Sequence, residues 1–88
     1  MNKTDTMNQR SISDIANDIE VEWTRSSKNG VNYAARPYLD AMHSLRNIND
    51  MYMLDTAQSV VLYFLSNANS FRGEAAKELK KELKALMK

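Results

Sequence analysis

The chain has 88 residues, 43% of them hydrophobic, 26% charged and 8% aromatic, which is a globular composition and enough for one small domain. Twelve Lys and Arg stand against eleven Asp and Glu, and the resulting net charge of +1 announces no polyanionic partner. The absence of cysteine excludes a disulfide framework, a cysteine zinc site and thiol catalysis; one His and two Gly exclude a histidine cluster and a glycine-rich phosphate loop.

Residues 1–10 are polar and without periodicity, and read as a flexible tail ahead of a single helical domain over residues 11–88. They contain no apolar signal segment. The longest apolar run, residues 60–65, falls far short of the roughly 20 residues of a membrane span. The expectation is a soluble, cytoplasmic protein with no membrane association. So short a chain without disulfide or metal depends on tight helix packing, on self-association, or on both.

The first predicted helix covers residues 12–25. Ile12, Ile15, Ala16, Ile19 and Trp23 form one apolar stripe, and Ser11 with Asp14 has the form of a capping box. Asp14, Asp18 and Glu22 make an acidic row beside the stripe. A turn follows at residues 26–30, where Gly30 suits a left-handed conformation. Residues 31–35 read equally as an extended connector or as an early turn of the next helix. Pro37 predicts a second helix over 37–46, with Arg36 biased away from the α region and Tyr38, Leu39, Met42 and Leu45 buried.

A polar turn at 47–50 leads into Met51-Tyr52-Met53-Leu54, read as a short apolar bridge of about one helical turn. Asp55 and Gln58 resemble a cap for a third helix over 56–68, with Ala57, Val60, Val61, Phe64, Leu65 and Ala68 as its main stripe. Leu62 and Tyr63 fall off that stripe. No charge occurs over residues 56–71, so this helix belongs in the middle of a bundle or against a partner. Ser70 reads as the cap of a fourth helix over 71–87. It carries Glu74, Glu78 and Glu82 on one flank and Lys77, Lys80, Lys81, Lys84 and Lys88 on another. The predicted fold is all-α, a compact four-helix domain.

Chemistry is sparse in this pattern. Asp40 and His43 share a helix face, but two ligands do not make a metal site, and nothing supplies a nucleophile or an oxyanion donor. No catalytic group, cofactor, metal or small-molecule substrate is expected. The surplus of apolar residues off the stripes, Leu62, Tyr63, Met51, Tyr52 and Met53, marks the candidate surface for a protein partner or for self-association. The row of Asp14, Asp18 and Glu22 is a candidate phosphate mimic. Nucleic-acid binding through Arg72, Lys77, Lys80, Lys81, Lys84 and Lys88 is the alternative, set against the neighbouring glutamates and the absence of interleaved aromatics.

Trp23, Tyr33, the run Pro37-Tyr38-Leu39-Asp40-Ala41-Met42, and Tyr63-Phe64-Leu65-Ser66-Asn67-Ala68 followed by Arg72-Gly73-Glu74-Ala75-Ala76-Lys77 carry a resemblance. They resemble a group of small helical proteins encoded by bacteriophages, prophages and other mobile elements. It spans about residues 12–88, with Phe71 where the group would have Trp. No activity, cofactor or site residue carries over. The resemblance implies an intracellular bacterial setting and a compact accessory protein, such as an inhibitor of a host defence system like a CRISPR effector.

Overall fold

The computed structural model describes residues 10–87. Four helices, α1 (Ile12–Ser26), α2 (Arg36–Met42), α3 (Ala57–Ser66) and α4 (Glu74–Leu86), account for most of it. Two short strands, β1 (Met51–Tyr52) and β2 (Asp55–Thr56), form a hairpin between α2 and α3. The tail expected over residues 1–10 lies outside the described residues except for Arg10, which is firmly engaged, as shown below. Lys88 also lies outside them.

Helix α1 is the hub, packed against α2 on one flank and α4 on the other, while α3 packs on α2. Its stripe of Ile12, Ile15, Ala16, Ile19 and Trp23 is buried throughout, as the 3.6-residue period requires. Trp23 stacks on Phe71 with ring centroids 4.8 Å apart and meets Phe64 edge-on at 6.2 Å, so three elements converge on one aromatic centre. At the helix start the Ser11 side chain accepts from the Asp14 N–H. Two further first-turn donors are satisfied from far along the chain: Ile12 N–H donates to Arg46 C=O and Ser13 N–H to Leu45 C=O, each at 2.8 Å.

Residues 31–35 resolve as a turn running directly into α2. The Asn32 side chain accepts from Ala34 N–H, and its carbonyl accepts from Ala35 and Arg36 N–H. Helix α2 therefore starts at Arg36, with Pro37 its second residue, where the missing N–H costs nothing. It stops at Met42 instead of reaching Arg46. His43, Ser44 and Leu45 continue as tighter turns, which frees the Leu45 and Arg46 carbonyls to hold α1.

The bridge at residues 51–54 is not a helical turn. Asp50 takes the Arg46 and Asn47 N–H groups on its carboxylate, Asn49 N–H donates to the Asn47 side chain, and the chain leaves this turn extended. Met51 pairs with Thr56 and Tyr52 with Asp55. Ala57 N–H closes onto Asp50 C=O at 2.8 Å. The cap of α3 is then Thr56, whose hydroxyl accepts from Ser59 N–H, in place of the expected Asp55. Helix α3 ends at Ser66, earlier than residue 68. Helix α4 begins at Glu74 and is capped by Gly73 (φ 110°, ψ 176°), not by Ser70. Residues 67–73 cross over as a loop that buries Ala68 and Phe71.

Candidate docking surface

Among the described residues, five of the seven large exposed apolar side chains, Met51, Met53, Leu54, Leu62 and Tyr63, gather around the hairpin and α3; the others are Val21 of α1 and Tyr33 ahead of α2. The hairpin reverses at Met53-Leu54, a two-residue tip with Met53 81% and Leu54 95% exposed. Met53 sits at φ 56°, a left-handed conformation that glycine or asparagine takes at far lower cost than methionine. Met51 is exposed beside them, whereas Tyr52 turns inward and packs on the core. The sequence singled out Met51, Tyr52 and Met53 of this stretch but not the tip residue Leu54. No Asn-Gly or Gly-X pair marks the turn, so nothing in the chain announced which side chains would be lifted into solvent.

On α3 the buried stripe is Ala57, Val60, Val61 and Phe64. Ser59, Leu62, Tyr63 and Ser66, spaced i, i+3, i+4 and i+7, make the opposite face, with Leu62 47% and Tyr63 53% exposed. The Tyr63 ring leans on Tyr38 of α2 at 5.6 Å, which fixes its position without burying it. At the start of α3, Leu62 shares a depression with Ile48, Asn49, Thr56, Gln58 and Ser59. At its end, Ser66 and Asn67 share one with Arg72 and Ser70.

The acidic row of α1 does not stand as three free carboxylates. The Arg10 guanidinium binds Asp18 at 2.6 Å and spans Glu82 of α4 with two bonds, 2.7 and 3.1 Å, while Glu22 pairs with Arg25. These two carboxylates hold Arg10 well above the usual guanidinium range. Asp14 is exposed and, among the described residues, forms no ion pair. The lysines of α4 behave differently. Among the described residues none of Lys77, Lys80, Lys81 or Lys84 pairs with an acid. Lys80 lies 5.8 Å from the centre of the Phe71 ring, and its pKa is lowered by burial first and then by Lys84 and Arg72. Lys80 thus has Lys84, one helical turn on, and Arg72 as its basic neighbours.

Asp40 and His43 are not partners of each other. Asp40 takes Arg36, and His43 reaches across to α1, with Nδ1 3.0 Å from the Asn17 side chain and Nε2 3.0 Å from Glu20. Arg36 binds the same Glu20 carboxylate through two nitrogens. That guanidinium holds the Glu20 carboxyl below its ordinary range, with burial opposing and His43 assisting. The cluster ties α1 to α2; its ring nitrogens and carboxylates are already spent on each other. Among the described residues no group of three His, Asp or Glu is placed to hold a metal ion, and no helix is long and apolar enough to cross a membrane.

No protein-family model, curated protein or solved structure matches this chain.

Proposed function

We propose that this protein works without catalysis, by docking its hairpin tip onto another protein. One observation carries the reading: Met53 and Leu54 are the two most solvent-exposed large apolar residues of the hairpin, on a backbone that strains to hold Met53 there. A turn selected for folding alone would place Gly, Asn or Asp at these positions. Two unbranched or singly branched apolar side chains at the tip of a hairpin suit insertion into an apolar cleft of a partner. The resemblance to mobile-element proteins supports extending this to a host factor, including a defence nuclease or CRISPR effector.

The double substitution Met53→Gly with Leu54→Asn tests the reading. It relaxes the turn, so the melting temperature is expected to hold or rise, while retention of any host protein captured by the wild type is lost. A captured protein that binds both forms equally overturns the tip as the contact. Expression in cells with active CRISPR interference tests the extension, which fails if interference proceeds unchanged.

A second reading rests on Lys80 and its basic neighbours Arg72 and Lys84, with exposed Lys77 and Lys81. Lysines without acid partners, one of them with its charged form disfavoured by burial and by neighbouring Lys84 and Arg72, are arranged for an anion. Binding to a nucleic-acid duplex is expected to weaken steeply with salt and to fall further in Lys80→Gln with Lys84→Gln. A salt-independent or unaltered response removes this reading.

A further inference from the structure

We infer that the outer face of α3 is a self-complementary surface on which a second copy of this chain docks antiparallel, about a twofold axis passing between Leu62 and Tyr63. This is independent of what the hairpin tip holds. A twofold contact brings one patch against itself, so residues equally far from the axis on either side must suit each other. The sequence around α3 has that symmetry of chemical class. Read outward from the axis, Leu62 answers Tyr63, Val61 answers Phe64, Val60 answers Leu65 and Ser59 answers Ser66. The match continues with Gln58 and Asn67, Ala57 and Ala68, and Thr56 and Asn69. Ala57, Val60, Val61, Phe64 and Ala68 are buried in the chain's own core, so the pairs free to meet on the outer face are Leu62 with Tyr63, Ser59 with Ser66 and Gln58 with Asn67.

Three features of the structure make the face fit to be covered. The residues that would meet, Ser59, Leu62, Tyr63 and Ser66, already lie on one side of the helix and outside the core. Two of its hydroxyls are already engaged within the chain: Ser66 donates to Leu62 C=O at 3.0 Å, and the Thr56 hydroxyl donates to Ser59 at 3.0 Å. The small serines on either side of the axis permit close approach of the two helices. The charges then complete the match. No charged residue lies within residues 56–71, but exposed Asp55 precedes the segment and exposed Arg72 follows it, beside Ser66. Among the described residues neither has an ion-pair partner. Antiparallel docking sets the Asp55 end of each copy against the Arg72 end of the other, twice by symmetry, and opposes the two helix dipoles favourably. Parallel docking would set like charge against like. A partner with a charged face would find no counter-charge along the helix itself.

Sedimentation of the full chain over about 5 to 500 µM tests this. The expected result is a mass that rises from monomer to dimer with concentration. Leu62→Glu, which places like charges across the axis, is expected to keep the protein monomeric with an unchanged helical circular-dichroism spectrum. Asp55→Arg and Arg72→Asp are each expected to weaken the dimer roughly three- to tenfold, and their combination to restore it. As a check independent of charge, a mixture of Ser59→Cys and Ser66→Cys chains is expected to form the mixed disulfide in preference to the Ser59→Cys homodimer. A strictly monomeric wild type, a dimer indifferent to Leu62→Glu, or a charge swap that does not restore association overturns the inference. Each of these outcomes leaves the test of the hairpin tip intact.

Discussion

Gly73 sits at φ 110° and ψ 176°, a region that side chains with a Cβ do not occupy without strain, although the space around it is open. Gly73→Ala is therefore expected to destabilise the fold by about 1–2 kcal/mol through backbone strain alone, measurable by urea titration with an unchanged m-value. Glu20 gives the second residue-level expectation. Its folded pKa is depressed by Arg36, so its contribution is present above the ordinary carboxylate value of about 4.5 and is lost as pH falls through the lower folded value. The melting temperature is expected to drop on acidification below about pH 4.5, and Glu20→Gln to be less stable than the wild type at neutral pH while converging with it in acid. Parallel loss with pH in both forms would remove Glu20 from the account.

At the scale of elements, the aromatic centre decides how the loop at 67–73 is held. Phe71 lies outside any helix, yet it is buried against the Trp23 ring. Phe71→Ala is expected to cost about 3–5 kcal/mol, close to the whole stability of a domain this small, and to show as loss of near-ultraviolet Trp dichroism. The existence and order of the four helices were legible because each buries a stripe with helical period. The Ser11 cap and the five buried residues of α1 could be read directly. The ends were harder, for identifiable reasons. Helix α2 stops early because the residues after it turn tighter and give the Leu45 and Arg46 carbonyls to α1, a contact of residues more than thirty apart that no local pattern encodes. The hairpin was hidden because Met51, Tyr52, Met53 and Leu54 have no alternation and no turn residue. Thr56 supplanted Asp55 as cap once β2 fixed its extended backbone. Of the candidate surface, Met51, Met53, Leu62 and Tyr63 do face solvent and Tyr52 does not; Leu54, the most exposed of all, carried no signal.

Across the whole molecule, charge is sorted by side. Carboxylates of α1 and α4 converge on Arg10, the polar cluster of Glu20, Arg36 and His43 joins α1 to α2, and the α4 lysines stand without acid partners among the described residues, Lys80 beside Phe71. The neutral α3 lies between the hairpin and Arg72. Net charge near zero thus conceals a molecule with differently charged surfaces, each suited to a different class of contact.

The first turn of a helix ordinarily frays, and its amides trade their protons with water within moments. Those of Ile12 and Ser13 are instead clasped by carbonyls that follow α2, so they can be released only when α1 and α2 part. Deuterium uptake at these two amides is expected to be as slow as at Ile19 in the middle of the same helix; rapid labelling there would mean that the clasp opens on its own. The entry to α1 thereby reports on the integrity of the whole domain.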